Sequence, residues 1–240
     1  MRNKQKNITK HSSKDKMFNY QEMSTQTALG GRWYDTPIGS FPSITTILGT
    51  TAPPEKVASL ENWRQSLGVE KANAVSKKAT DRGTNVHLLA ERYLKKEVVN
   101  APINGQPVPH LDLGSFNALK LKLDKIDEVW GQEVALYSTS LEVAGRCDLV
   151  GKYKGVPVIV DFKTASRVKK KSDIHDYELQ IYFYAIAHNE MFGTNIQEGV
   201  ILMVADSGFP QEFRVIFTDE LKAELKKRVN AYWTSVLAKA

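Results

Sequence analysis

The most informative run in the sequence reads Val156-Pro157-Val158-Ile159-Val160-Asp161-Phe162-Lys163. Its apolar, β-branched composition predicts a strand, in which successive side chains point to opposite faces of a sheet. Asp161 and Lys163 therefore share one face, whereas Val160 and Phe162 point into the other layer. A carboxylate and an ammonium group at the end of an apolar strand suit a hydrolytic metal site. The carboxylate can hold Mg²⁺, and the lysine can orient or help deprotonate the attacking water.

Taken alone, this pair is weak evidence, because an ordinary surface ion pair at a strand end has the same sequence pattern. The preceding strand-like run, 143–150, strengthens the functional interpretation because it carries Asp148 among apolar residues. A buried carboxylate is costly unless it has a partner or a metal ion. Two aspartates on adjacent strands can converge on one divalent cation, whose hard character favours oxygen ligands.

Two predicted helices carry further candidate residues. His87 and Glu91 are four residues apart and share a helix face, although a lone histidine is also compatible with a core or surface position. Tyr177, Gln180 and Tyr184 form one stripe at helical spacing, which an aromatic core stripe would also produce. A glutamine within such a stripe needs hydrogen-bond partners if it is buried. We therefore expect Gln180 and Tyr184 to meet polar groups beside the two aspartates.

The composition is that of an ordinary globular protein of 240 residues, with 42% hydrophobic and 25% charged residues. It excludes a mostly disordered chain and a collagen-like or coiled-coil rod, and no apolar window is long enough to span a membrane. The single cysteine, Cys147, excludes an intramolecular disulfide, a four-cysteine zinc site and an iron–sulfur cluster. The net charge is +6, but residues 1–16 hold six basic residues against one acidic residue. The excess charge therefore belongs mainly to the N-terminal segment.

The pattern predicts two regions, a flexible basic arm over residues 1–30 and a single domain over residues 31–240. The arm is rich in lysine and asparagine, which favours a solvated segment over an arginine-rich mitochondrial presequence. It has no apolar segment of the kind that a secretory signal carries, and one cysteine suits a reducing compartment. We therefore expect a cytoplasmic location.

Within the domain we expect a helical part over 43–129, an α/β core over 130–218 and a C-terminal helix over 219–238. Ser43 is a predicted helix N-cap, and Lys154-Gly155 is a predicted hairpin turn. The first helices are expected at 55–66, at 69–97 with a possible break at Asp81-Arg82-Gly83, and at 114–129. The core elements are expected as strands 133–139, 142–153 and 156–163, helix 174–191, and strands 199–205 and 212–217. This order predicts an α/β fold with a central mixed β-sheet flanked by helices.

Taken together, these features resemble the RecB-like branch of the PD-(D/E)XK nuclease superfamily, over about residues 31–205. The chain is similar to small single-domain members, which include exonucleases of mitochondria and phages. The matching residues occur in the family's order: Arg82-Gly83, His87, Glu91, Gly145, Asp148, Asp161-Phe162-Lys163, Gln180 and Tyr184. The resemblance implies a core of helix, three strands, helix and strand (αβββαβ), which cleaves DNA phosphodiesters with Mg²⁺ or Mn²⁺. One departure is Cys147, which stands where the family motif has proline.

The resemblance also implies roles for individual residues. Its metal ligands correspond to His87, Asp148, Asp161 and the backbone carbonyl of Phe162, and its catalytic lysine corresponds to Lys163. The residues implied in DNA binding are Gln180, Tyr184, Arg82, Ser43 and Thr45, and those expected to support the site are Glu91, Glu133 and Tyr177. The basic run after the catalytic strand adds three predicted phosphate contacts, Lys169, Lys170 and Lys171. Such charge runs are also common in loops that are merely solvated.

The resulting hypothesis is a metal-dependent DNA exonuclease that acts on single strands or free ends in DNA replication, repair or recombination. The alternatives are a non-catalytic nucleic-acid-binding module with the same fold and a structure-specific endonuclease. The expected cofactors are one or two Mg²⁺ or Mn²⁺ ions, with no iron–sulfur cluster and no nucleotide. The sequence lacks a Gly-rich Lys-Ser/Thr phosphate loop, so a helicase or single-strand-binding partner would be another chain. The expected setting is a bacterial or phage-infected cell, with a mitochondrial location ranked second.

Overall fold

Residues 17–238 are described by a computed structural model. The strands are β1 (Thr25–Ala28), β2 (Gly31–Thr36), β3 (Gly39–Pro42), β4 (Ile126–Ser138), β5 (Val143–Tyr153), β6 (Val156–Ala165), β7 (Glu198–Ala205) and β8 (Pro210–Ile216). The helices are α1 (Ile44–Thr50), α2 (Pro54–Leu67), α3 (Val69–Leu94), α4 (His110–Leu123), α5 (His175–Phe192) and α6 (Asp219–Leu237). A short 3₁₀ turn, Lys171–Asp173, precedes α5.

Five strands form the central sheet, in the order β4-β5-β6-β7-β8. The pair β6 and β7 is parallel, and the other neighbouring pairs are antiparallel. The β5–β6 hairpin turns at Lys154 and Gly155, whose φ angles of 51° and 81° are those that a tight hairpin turn requires. The succession α4, β4, β5, β6, α5, β7 confirms the predicted αβββαβ core, and the predicted mixed sheet is also confirmed.

Helices cover both faces of this sheet and create two apolar cores. On one face Val160 and Phe162 of β6 pack with α3 and α4. On the other face Ile159 packs with α1, α5 and α6. The alternation of β6 therefore sends Asp161 and Lys163 toward α5, as the sequence pattern predicts.

A second sheet and helix α2 lie outside the central layers. Strands β1, β2 and β3 form an antiparallel sheet, which leads into α1. Ser43 caps that helix as predicted, since its side chain accepts a hydrogen bond from the Thr46 N–H. Helix α2 has no buried residue. None of the helices in the described region combines the length and apolar character needed to cross a bilayer.

Two helix predictions differ from the structure. The helix expected over 114–129 ends at Leu123, and Ile126 already belongs to β4 because it pairs with Tyr153 of β5. Long-range strand pairing thus overrides a local helical pattern. The break expected at Asp81-Arg82-Gly83 is absent, and α3 runs through it. A Cβ on Gly83 would lie 3.5 Å from Thr164 Oγ1, an ordinary van der Waals distance, so α3 packs close to β6 at this position.

The predicted flexible arm is also too long, because residues 17–30 are part of the fold. They include β1, and Phe18 and Tyr20 pack against an aromatic cluster that contains His188 and Phe192. Burying two large aromatic rings offsets the entropy of ordering this polar segment. The remainder of the predicted arm, residues 1–16, lies outside the described residues.

His188 makes this attachment sensitive to pH. Its ring nitrogens hydrogen-bond to Tyr20 Oη at 2.9 Å and Thr194 Oγ1 at 2.8 Å. Burial lowers the pKa of His188 from 6.5 to about 4. The unfolded chain therefore binds a proton more readily than the folded chain, and stability present above pH 6.5 is lost as the pH falls.

When the pH falls from 7.5 to 5.0, His188 should lower the free energy of unfolding by about 2 kcal/mol. Urea unfolding at both pH values measures this loss. His188→Gln, which does not titrate, should remove that part of the pH dependence. His175→Gln, an exposed histidine of the same helix, should leave it unchanged. Equal pH dependence in all three proteins would contradict the prediction.

Candidate active site

The candidate site lies where β5 and β6 separate. Their ladder ends at the pair Leu149 and Val160, and Asp148 and Asp161 are the next residues along the two strands. The Phe162 N–H donates to Asp148 Oδ2 at 2.7 Å, so a side chain bridges the strands just beyond the last backbone pair. Both aspartates are therefore presented at one opening in the sheet.

One imidazole and two carboxylates converge beside this opening. His87 of α3, Glu133 of β4 and Asp148 of β5 each offer a ligand atom, and these atoms lie within 4.8 Å of one another. His87 Nδ1 is 3.5 Å from Asp148 Oδ2. Such a donor set fits a divalent cation. Glu133, expected only to support the site, thus lies in the cluster itself.

Asp161 lies next to this cluster and faces Lys163. Lys163 Nζ donates to Asp161 Oδ1 at 2.7 Å and lies 2.6 Å from Oδ2. The same ammonium lies 5.0 Å from the ring centroid of Tyr177, a cation–π distance. Asp161 is 1% exposed. Strand β6 thus places Asp161 and Lys163 side by side. Helix α5 contributes the ring of Tyr177, which packs against the Lys163 ammonium.

The electrostatics show that this site attracts positive charge. Burial lowers the pKa of His87, but Asp148 outweighs this effect and raises it to about 9. Burial and the charge of Asp148 raise the pKa of Glu133 to about 7. Burial also raises the pKa of Asp161. Burial acts in the same direction on Asp148, but the positive charges of His87 and Lys163 outweigh it and lower the pKa of Asp148. The raised pKa values mean that the site binds protons more tightly than free side chains do. A divalent cation could supply the positive charge in their place, so the residues fit the metal that the sequence predicts.

Gln180 and Tyr184 border the same region from α5. Gln180 Nε2 donates to Tyr184 Oη at 3.2 Å, and Tyr184 is buried. Burial raises the pKa of the Tyr184 hydroxyl, and nearby Cys147, Asp148 and other acids add to the effect. Tyr184 packs over Gly145 of β5, which explains the glycine there.

Comparison with known proteins identifies the family. The model of the PD-(D/E)XK nuclease superfamily matches residues 62–209, more than half of the chain. The chain belongs to this superfamily. The matched span contains the whole cluster of His87, Glu133, Asp148, Asp161 and Lys163.

Similar proteins include vertebrate mitochondrial genome maintenance exonucleases. The chain is 28% identical to mitochondrial genome maintenance exonuclease 1 of Mus musculus over 179 residues, which are 71% of this chain and 52% of the relative. The protein of that name from Homo sapiens is 27% identical over 204 residues, 82% of this chain and 56% of the relative. The chain thus spans about half the length of the curated relatives it matches. A crystal structure of a candidate exonuclease from Eubacterium rectale has a TM-score of 0.46 at 14% identity, with 66% of each chain covered.

Two of the residues to which the nuclease resemblance gives a role in DNA binding, Arg82 and Ser43, make contacts within the protein. Arg82 forms an ion pair with Asp206 and donates to the Ala165 carbonyl at 3.3 Å, so its guanidinium braces the ends of β6 and β7. The role of Arg82 in DNA binding stays a prediction. Ser43 is buried and caps α1, and its hydroxyl is therefore engaged. Thr45 is exposed beside it, and its role in DNA binding stays a prediction.

The basic loop after β6 is held by contacts that the sequence did not indicate. The side chain of Gln211 accepts from the Lys169 N–H at 2.8 Å and donates to the Lys169 carbonyl at 2.7 Å. Lys171 forms an ion pair with Glu178, whereas Lys170 is exposed. Because Gln211 lies on β8, 42 positions away from the loop residue that it holds, no local pattern could have revealed it.

Arg146 is a second residue that sequence reasoning missed. Glu133 has a φ of 52°, a left-handed conformation that is unfavourable for a residue with a Cβ. Arg146 Nη1 donates to the Glu133 carbonyl at 2.7 Å and stabilises this conformation. Asp148, one of the candidate metal ligands, lies two residues further along β5. Glu91 completes the surroundings, with an ion pair to Lys95.

Gly145→Ala should damage the site through packing alone. A Cβ at Gly145 would lie 2.9 Å from Tyr184 Cε1 and 3.3 Å from Ile44 Cγ2. We expect a loss of about 1–3 kcal/mol in unfolding free energy, typical of overpacking. Gly114→Ala is the matched control, because its Cβ would meet open space in α4, and alanine there should stabilise the helix. Urea unfolding of both variants measures this, and a Gly145→Ala protein as stable as wild type would refute the packing argument.

Proposed function

We propose that this member of the nuclease superfamily is a metal-dependent DNA exonuclease that hydrolyses phosphodiesters in single strands or at free ends. The observation that supports this most is the convergence of His87, Glu133 and Asp148 beside the Asp161–Lys163 pair. The names of the similar proteins contain the word exonuclease. They are also named for mitochondria, so the cytoplasmic location expected from the sequence stays a prediction.

Mg²⁺ or Mn²⁺ bound here would act as a Lewis acid on the phosphate and lower the pKa of a bound water. We assign its side-chain ligands to His87, Asp148 and Asp161, with Glu133 within reach. The Phe162 carbonyl stays in the predicted ligand set, while the Phe162 N–H orients the Asp148 carboxylate. The chain's own contribution is thus a set of oxygen and nitrogen donors that α3 and the central sheet already hold together.

Lys163 positions the attacking water and the phosphate oxygens through its ammonium hydrogens. Asp161 and the ring of Tyr177 hold this ammonium in place, so little reorganisation is needed when substrate arrives. Gln180 and Tyr184 lie at the wall of the same opening and supply hydrogen-bonding groups for the strand. Asp161 therefore serves both as a ligand and as the partner that orients Lys163.

Asp161→Asn and Lys163→Ala should each lower DNA cleavage by about 10²-fold or more, as expected when an aligned catalytic group is lost. The assay follows end-labelled linear oligonucleotides with Mg²⁺ or Mn²⁺, and EDTA should abolish the wild-type reaction. Asp219→Asn and Lys222→Ala on α6 are matched controls that should cleave like wild type. Isothermal titration with Mn²⁺ gives a second readout, since Asp148→Asn should weaken ion binding.

The alternatives give different results in the same assay. A non-catalytic binding module would retain DNA with any divalent ion and degrade none of it. A structure-specific endonuclease would open circular single-stranded DNA, which an exonuclease leaves intact. Cleavage by Asp161→Asn and Lys163→Ala at the wild-type rate would show that the assigned residues are not catalytic.

The basic loop should contribute to affinity through phosphate contacts. Replacing Lys169 and Lys170 by alanine should reduce the slope of log affinity against log salt by about 1.4 on single-stranded DNA, at about 0.7 per contact. Lys171→Ala should add less, because Lys171 already pairs with Glu178. The control is the double variant of Lys222 and Lys226, two exposed lysines of α6. Equal slopes for all proteins, measured by fluorescence anisotropy, would exclude the loop as a contact.

A further inference from the structure

A large groove adjoins the candidate active site on the α3 and α4 side. Its volume is about 980 Å³, and its base is formed by Thr164, Ala165 and Ser166. Thr164 and Ala165 follow Lys163 directly in β6, and Ser166 comes just after the strand, so the groove lies next to the strand end where we place the reacting phosphate. One wall is the middle of α3, and the other is the start of α4. Of the residues that line it, the sequence had marked only Arg82 as a DNA-binding residue.

The charges of the groove are balanced. It is lined by three basic side chains, Lys77, Lys78 and Arg82, and by three acidic ones, Asp81, Asp112 and Asp206. All three acids have partners, since Lys77 binds Asp81, Arg82 binds Asp206, and the Asn85 amide donates to Asp112. A surface that binds the phosphate backbone carries excess positive charge. The groove therefore suits an uncharged group better than a phosphate.

Each helical wall of the groove exposes an apolar side chain. Val75 on α3 is 51% exposed and Leu111 on α4 is 71% exposed, and both line it. Hydroxyl and amide groups lie deeper between them, among them Ser115, Thr164 and Asn85. Apolar walls above a few polar groups are the usual lining of a site for a flat, neutral, hydrogen-bonding ligand.

We propose that this groove receives one or more nucleobases of the substrate strand next to the cleaved bond. The proposal rests on the proposed nuclease function and deepens it by naming the part of the substrate that the groove binds. A nucleobase is flat, uncharged and polar at its edges, which matches the lining. The charged backbone would pass Lys163 and the basic loop with Lys169 and Lys170. Bases in a duplex are paired and stacked, so this arrangement favours a single strand.

The test combines removal of a base with removal of an apolar wall. Single-stranded oligonucleotides carry an abasic site in turn at each of the first three positions from either end. Cleavage kinetics and anisotropy are measured for wild type, Leu111→Ser and Val75→Ser. Leu121→Ser and Val69→Ser are matched controls, because Leu121 is 71% exposed on α4, Val69 is 65% exposed on α3, and neither lines the groove.

Wild type should lose roughly three- to tenfold in affinity when the base that fits the groove is missing. Leu111→Ser and Val75→Ser should bind intact and abasic strands with nearly equal affinity, and the controls should discriminate like wild type. A merely structural effect of the substitutions would weaken both strands alike and would overturn the proposal. Equal wild-type affinity for the intact strand and for every abasic strand would overturn it as well.

The two proposals can fail separately. If no divalent ion supports cleavage, the nuclease function fails, but anisotropy in EDTA still shows whether a base enters the groove. If cleavage depends on Asp161 and Lys163 while base removal has no effect at any position, the nuclease function stands and the groove assignment is wrong.

Discussion

The hydrogen bond from the Phe162 N–H to the Asp148 carboxylate is the contact on which the candidate site depends. It lies where the β5–β6 ladder stops, at Leu149 and Val160, while β6 remains paired with β7 as far as Ala165. A continued ladder would have left no room between the strands for two carboxylates. If the strands separated without the hydrogen bond from the Phe162 N–H, the Asp148 carboxylate would lose the backbone donor that orients it. The sheet thus opens by a limited amount, and a side chain sets the width of the opening.

The concentration of acids in that opening has an energetic cost that the surrounding residues offset. Asp148 is close enough to Asp161 to help raise the pKa of Asp161, and Glu133 and Glu91 add negative charge. Unpaired carboxylates in such a place would be strongly destabilising. His87 stabilises the charge of Asp148, and Lys163 stabilises that of Asp161. The same negative potential is what a divalent cation requires, so the local cost in stability and the capacity to bind metal have one origin.

Under the two proposals, the surroundings of the site would divide the substrate between two chemically different surfaces. Arg82 joins α3 to the ends of β6 and β7, and Gln211 holds the basic loop against β8. The lysines of the loop, Lys169, Lys170 and Lys171, do not line the charge-balanced groove between α3 and α4. Phosphates would then be bound at the loop and bases in the groove. Basic residues such as Arg82 and Lys171 form ion pairs within the protein. A count of positive charges would therefore overestimate the surface available to nucleic acid.

The sequence by itself determined the features that depend on neighbours along the chain. Alternation in β6 placed Asp161 and Lys163 on one face, Lys154-Gly155 predicted the hairpin, and Ser43 predicted a helix cap. The tertiary structure alone decided which distant residues meet. It brought Glu133 into the cluster, turned Arg82 into a brace, made Ile126 a strand residue and ordered Phe18 against His188. Spacing along one element is dictated by local backbone geometry, whereas these contacts join segments separated by tens of residues and form only when the sheet and its helices pack.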